Sequence, residues 1–228
     1  MIPTGKRDSV RAWVVYPERS TKAPVVLVVH EIFGLSTWVR AVADQLAADG
    51  FIAIAPDLLT GKVVPEGGPD SVSVDSAVSV IRTLDPALIQ RQLTAVADYG
   101  MKLPAALPRY GIVGFCWGGG VSFAHAVASP TLGASVVFYG TSPADSDLAK
   151  VHAPVLGFYG ENDARVTATV PRADSVLHKL GRTYEHVVFA GAGHGFMRAQ
   201  SGQNGANGRA AEQAWPRAVA WFRKYLGA

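Results

Sequence analysis

A sulfur nucleophile is the first chemistry this sequence offers. Its single cysteine, Cys116, stands in the run Gly111-Ile-Val-Gly-Phe-Cys-Trp-Gly-Gly-Gly120. There a strand-like stretch (residues 111–115) runs directly into a helix-like stretch that begins at Trp117. A nucleophile at such a bend, with glycine two positions away on either side, has the frame of a nucleophile elbow in which sulfur replaces the usual serine oxygen. The turn forces the nucleophile into a strained backbone conformation, and side chains at Gly114 and Gly118 would collide across it. The glycines do not fall into Gly-x-Gly-x-x-Gly, and the turn does not follow the first strand of the fold, where a dinucleotide-binding loop belongs. A thiol so placed needs a base, and the base needs an orienting acid, both carried on loops after later strands. They follow in that order: Gly160-Glu-Asn-Asp163 after one strand-like run, then Gly191-Ala-Gly-His194-Gly-Phe after another. Of the six histidines, His194 alone has this glycine-flanked position. Spacing leaves both Glu161 and Asp163 open as the acid, while Asp57, in Ala-Pro-Asp-Leu, reads as structural.

The elements that must position these residues are short β-branched runs at 25–29, 51–55, 111–115, 134–139, 155–159 and 184–189. None has the polar alternation of a half-exposed sheet, which implies strands covered on both faces and therefore a mostly parallel sheet. A more polar run at 10–16 suits an antiparallel edge strand in a hairpin with 25–29. Helical stretches are expected at 37–48, 87–102, 117–128, 169–180 and 210–225, with Thr37 as an N-cap and Gly50 and Gly181 as C-terminal stops. Repeated βα units with no linker predict one domain over residues 1–228, an α/β fold with helices on both faces of the sheet. Residues 59–73 read as a loop excursion of the sort that borders a site, and residues 201–208 as a flexible stretch near the C-terminus.

Composition narrows the classes further. Of 228 residues, 49% are hydrophobic and 17% charged, enough apolar surface for a sizeable core. The net charge of +3 comes from scattered residues rather than a basic stripe, which argues against a nucleic-acid partner. The longest apolar run is residues 23–29, far short of a membrane span. The opening Met-Ile-Pro-Thr-Gly-Lys carries no apolar leader, so a cytoplasmic protein is expected, a trimmed export leader being the alternative. No His-Glu-x-x-His segment or ligand-spaced carboxylate cluster is present in the sequence, and the expected chemistry needs no metal or other cofactor.

With these residues in view, the chain resembles the dienelactone hydrolase (carboxymethylenebutenolidase) family of α/β-hydrolases over nearly its whole length. The pieces that carry the resemblance are His30-Glu31-Ile32-Phe33-Gly34, Ala55-Pro56-Asp57-Leu58, Gly114-Phe-Cys116-Trp-Gly-Gly119, Tyr159-Gly160-Glu-Asn-Asp163 and Gly193-His194-Gly-Phe196. The resemblance implies Cys116 as nucleophile, His194 as base and Asp163, rather than Glu161, as the orienting acid. It implies that Glu31 contacts the resting thiol and helps transfer its proton, and that the backbone N–H groups of Ile32 and Trp117 form the oxyanion hole. Glu31 also stands out independently, since a carboxylate at the end of an apolar strand needs a partner. The family's substrate is a carboxylate-bearing lactone held by two arginines. Arg198 matches one of them; where the other is expected, the aligned residue is Val74. That departure favours a broader range of small-molecule esters and lactones, with Trp38 and Tyr139 as apolar walls of the pocket. A monomer or small homo-oligomer is expected, without membrane association. The reading from another class is a reactive-thiol sensor or binding protein on the same scaffold; a peptidase suits the site less, since amines are poorer leaving groups.

Overall fold

The computed structural model describes residues 1–5, 8–62 and 73–227, with Val74 described through its backbone alone. Most of the 59–73 excursion, and the side chain of Val74, lie outside the described residues. The chain forms two compact units that divide after Tyr110.

In the first unit a two-stranded antiparallel ribbon, β1 (Ile2–Pro3) and β2 (Ser9–Val10), precedes β3 (Ala12–Val15), β4 (Ala23–Val29), α1 (Thr37–Ala48), β5 (Ile52–Pro56), α2 (Val74–Thr83) and α3 (Pro86–Met101). The strand order is β3-β5-β4. Strands β4 and β5 are parallel, with Val25 opposite Ile52. Every residue of both is buried. Because successive side chains point to opposite faces, complete burial means both faces are covered, and α1 and α3 both pack on these strands. The expected antiparallel edge strand is present but pairs with β5 (Ala12 opposite Pro56), not in a hairpin with β4. Its half-exposed residues, Trp13 among them, suit an outer position, and the Asp57 N–H donates to Arg11 O just past the paired residues. The N-cap of α1 is Ser36 rather than Thr37: its hydroxyl accepts from the Val39 N–H. Gly50 and Gly181 follow their helices with φ of 102° and 66°, the left-handed stops expected of them. Helix α2 was not legible beforehand; Ser73 caps it through the Ser76 N–H.

The second unit begins within β6 (Ala106–Phe115) and sets its residues 111–115 beside β7 (Ala134–Phe138), followed by β8 (Val155–Asn162) and β9 (Tyr184–Gly193). All are parallel: Gly111 faces Ala134, Ser135 faces Val155, and Val155 faces Tyr184. Between them run α4 (Trp117–Ala128), α5 (Asp145–Leu148), α6 (Ala164–Thr167) and α7 (Val170–Lys179), and α8 (Ala206–Leu226) closes the chain. Helix α4 packs on β7, and α8 on β7, β8 and β9. A layer of buried rings lies along these strands, with Phe138 stacked 4.9 Å from Phe115 and tilted against Phe158 at 5.0 Å. Residues 201–208, expected to be a flexible stretch, instead form a 3-10 turn (Gln203–Gly205) and the first turn of α8, with Asn207 buried. Among the described residues no helix is long and apolar enough to cross a membrane.

Candidate active site

Cys116 occupies the single residue between β6 and α4, with φ 56° and ψ −118°. An L-residue rarely adopts such a backbone, and it persists only where the surroundings over-determine it. Here they do so through close backbone packing. A Cβ at Gly114 would overlap the Gly118 carbonyl, and one at Gly119 would lie 2.5 Å from the Phe138 carbonyl oxygen. A further close approach falls at Gly119, where the first turn of α4 rests on the end of β7. Two hydrogen bonds fasten the bend: Cys116 N–H to Phe138 O (3.1 Å) and Gly119 N–H to Cys116 O (3.0 Å). Trp117 is the first residue of α4, so its N–H belongs to the helix's N-terminal end.

The other two members of the expected triad come from the ends of the neighbouring strands. Asp163 directly follows β8, and His194 directly follows β9. Asp163 Oδ2 lies 2.5 Å from His194 Nδ1, and His194 Nε2 lies 3.0 Å from Cys116 Sγ. The carboxylate is 8% exposed and the imidazole 35%, so the acid is nearly buried and the base is open to solvent on one side. The proton affinity of His194 is raised, to a pKa of about 9: the hydrogen bond with Cys116 is the chief cause, burial opposes it, and Asp163 adds to it.

The three residues 161–163 divide their work. Glu161 Oε2 accepts from the Gly191 N–H (2.8 Å), and Asn162 Nδ2 donates to Gly191 O (3.1 Å) and to Gln203 Oε1 (3.2 Å). Both bind β9 backbone, and Asp163 alone reaches the imidazole. The His194 loop is itself held by Asn207, 3% exposed, whose Oδ1 accepts from the Gly193 N–H (2.9 Å) while Nδ2 donates to Ala199 O (2.8 Å). Sequence reasoning missed Asn207. An asparagine in the first turn of a helix, amid Gly and Gln, carries no local signal of a partner fourteen residues upstream.

The remaining expected residues are placed as follows. Tyr139 has no accessible surface; its ring stands 5.1 Å from the imidazole of His194 in an edge-on arrangement. It backs the base rather than forming a pocket wall. Arg198 is exposed in the loop after His194, and its N–H donates to Gly195 O. In the first unit Glu31 is buried at the end of β4, Ile32 and Trp38 are half-buried, and His30 is fully buried. His30 Nε2 accepts from the Leu58 N–H (3.1 Å), so its proton sits on Nδ1 and is donated to Glu31 O (2.5 Å). Burial lowers its pKa, which keeps it neutral. This bond fixes the plane of the Glu31–Ile32 peptide. Asp57 pairs with Arg11 (2.8 Å) and accepts from the Leu59 N–H, the structural work expected of it.

A parallel sheet with an elbow after one strand, an acid after the next but one and a histidine after the last defines an α/β-hydrolase. The chain belongs to the dienelactone hydrolase family, whose model matches residues 10–226; it is a dienelactone hydrolase-like hydrolase. Several relatives carry the name "Putative carboxymethylenebutenolidase". The one from Salmonella typhimurium is 31% identical over 96% of this chain and 84% of its own length. The one from Methylorubrum extorquens is 32% identical over 95% and 77%. A crystal structure titled as a "Putative Dienelactone Hydrolase" from Klebsiella pneumoniae superposes with a TM-score of 0.87 at 28% identity, covering 98% of this chain and 97% of its own.

Proposed function

We propose that the protein hydrolyses carboxylic esters or lactones through a cysteine nucleophile. The observation that carries this reading is the unbroken chain from Cys116 Sγ through the two nitrogens of His194 to Asp163 Oδ2, at 3.0 Å and 2.5 Å. In the mechanism it supports, the Cys116 thiolate adds to the substrate carbonyl carbon and the charge moves to the carbonyl oxygen. Collapse breaks the C–O bond to the alkoxide, which takes the proton from the His194 imidazolium and leaves a thioester on Sγ. Water then adds to the thioester and gives a proton to His194, the C–S bond breaks, and the carboxylic acid departs.

The elevated proton affinity of His194 fits this sequence. Its chief cause is the hydrogen bond with Cys116, and acylation of Sγ removes that partner. The imidazole is thus a proton donor while sulfur is free and a base once sulfur is acylated. The family's motifs supply the remaining roles: proton transfer for Glu31, and the N–H groups of Ile32 and Trp117 as donors to the oxyanion. Arg198, in the His194 loop, would meet a carboxylate on the substrate; with Val74 aligned to the family's other arginine, neutral esters should serve as well.

The test is hydrolysis of a panel of short aryl esters, simple lactones and acidic enol-lactones before and after labelling with one equivalent of a thiol alkylator. Turnover abolished at stoichiometric labelling is expected. Undiminished turnover would remove Cys116 from the mechanism, and a silent panel would favour the thiol sensor. On acidic substrates Arg198→Ala should raise KM by about tenfold, the loss of a charge-assisted hydrogen bond, and leave neutral esters unaffected.

A further inference from the structure

The segment from Gly193 to Ala199 carries His194 and Arg198, and its middle is anchored by Phe196, fully buried against the rings of Phe138, Tyr139 and Phe189. Gly195 has φ 72°, and within the segment Arg198 and Ala199 both donate to the Gly195 carbonyl. The two ends of the loop meet on one side chain. Asn207 accepts from the Gly193 N–H at 2.9 Å and donates to the Ala199 carbonyl at 2.8 Å. Because one partner is a backbone donor and the other a backbone acceptor, the amide orientation is unambiguous. The side chain is 3% exposed, so breaking either bond would leave a buried polar group unpaired. Its support is rigid: Asn207 lies in the first turn of α8, a helix of 21 residues packed on β7, β8 and β9.

We infer that Asn207 is a positioning residue for His194: it clasps the base loop at both ends and thereby sets the distance from the imidazole to Cys116 Sγ. The inference rests on the proposed hydrolytic reading. Among the described residues Cys116, Asp163 and the ring of Tyr139 face the imidazole, while Asn207 acts through the backbone of Gly193, one residue before His194. A displacement of about 1 Å at such a base is enough to lower turnover by up to 100-fold.

The experiment compares wild type, Asn207→Ala and Asn207→Asp in three measurements: thermal stability, kcat and KM on a neutral aryl ester, and the NMR titration of His194, assigned by its loss in His194→Ala. Asn207→Ala should lower kcat by 10- to 100-fold with KM within threefold. The titration of His194 should move down from about 9 toward the ordinary histidine range as the bond to Cys116 loosens. Asn207→Asp keeps the acceptor for Gly193, the end of the loop next to His194, and loses the donor to Ala199; it should recover most of kcat, to within about tenfold of wild type, and return the titration toward its wild-type position. Lowered thermal stability in Asn207→Ala with kcat and titration unmoved would overturn the inference and leave Asn207 a scaffold residue. Should Asn207→Ala not fold, Asn207→Asp decides alone: a wild-type titration supports the clasp on Gly193, and an ordinary-histidine titration overturns it. A wild type that neither hydrolyses the ester nor holds His194 above the ordinary range would overturn the hydrolytic reading itself, and this inference with it.

Discussion

At Cys116 the backbone is held by contacts that admit no side chain: Gly114 lies against the Gly118 carbonyl and Gly119 against Phe138 O. At His194, seventy-eight residues later, the backbone is held by hydrogen bonds from other segments: Asn207 on Gly193 and Ala199, Glu161 and Asn162 on Gly191. The proposed nucleophile therefore sits in a frame built chiefly by exclusion, whereas the loop of the proposed base adds polar attachment to the close approach of Gly160 to the Ala192 and Gly193 carbonyls and to the burial of Phe196. Exclusion fails all at once, because carbonyl oxygens of the backbone cannot swing aside for a methyl group. Attachment fails by degrees, because a lost hydrogen bond leaves the chain near its place but less confined.

The largest effect that would sharpen this contrast is expected at the elbow. Gly114→Ala puts a Cβ into the Gly118 carbonyl and should destabilise the fold by on the order of 3 kcal/mol or more. Chemical denaturation measures it, and a variant of near wild-type stability would mean that the frame yields. Next comes the acid. Asp163→Asn should lower kcat by on the order of 100-fold or more, since a neutral amide neither fixes the imidazole tautomer nor balances its charge. Glu161→Gln should stay within about threefold, because an amide oxygen can still accept from Gly191 N–H. The reverse pattern in steady-state rates would reassign the acid.

The smallest effect is on stability against pH. His194 is held above the ordinary value of about 6.5 chiefly by Cys116, so the protonated imidazole stabilises the fold fully below about 6.5, and that contribution disappears as pH rises through about 9. In Cys116→Ala this dependence should largely vanish. The difference in Tm between wild type and variant should therefore shrink between pH 6.5 and 9.5, and a constant difference would show that the bond to sulfur contributes nothing to folding.

The same contrast explains what could be read in advance. Exclusion leaves a mark in sequence: glycines around Cys116 between a strand and a helix place the elbow, and the order of Asp163 and His194 places their loops. The uniform burial of β4 and β5 is likewise visible as unbroken apolar runs. Polar attachment between distant segments leaves no such mark. Asn207 looks like loop composition until α8 is folded over β9, and Glu161 and Asp163 are equivalent until the Gly191 N–H claims one of them. The pairing of β3 with β5 was hidden for a related reason, since alternation identifies an edge strand but not its neighbour.

The φ of 56° at Cys116 sets fitness for folding against fitness for reaction. Backbone of this kind costs a non-glycine residue about 1–3 kcal/mol, and glycine adopts it without that strain. Cys116→Gly would relieve the bend while abolishing the sulfur, giving a chain that is inert and, net of glycine's greater unfolded-state entropy, at least as stable. Selection for thermal endurance alone would drift toward that glycine. On the proposed mechanism the side chain at position 116 is kept for its sulfur, at a place where the fold would be more at ease without it.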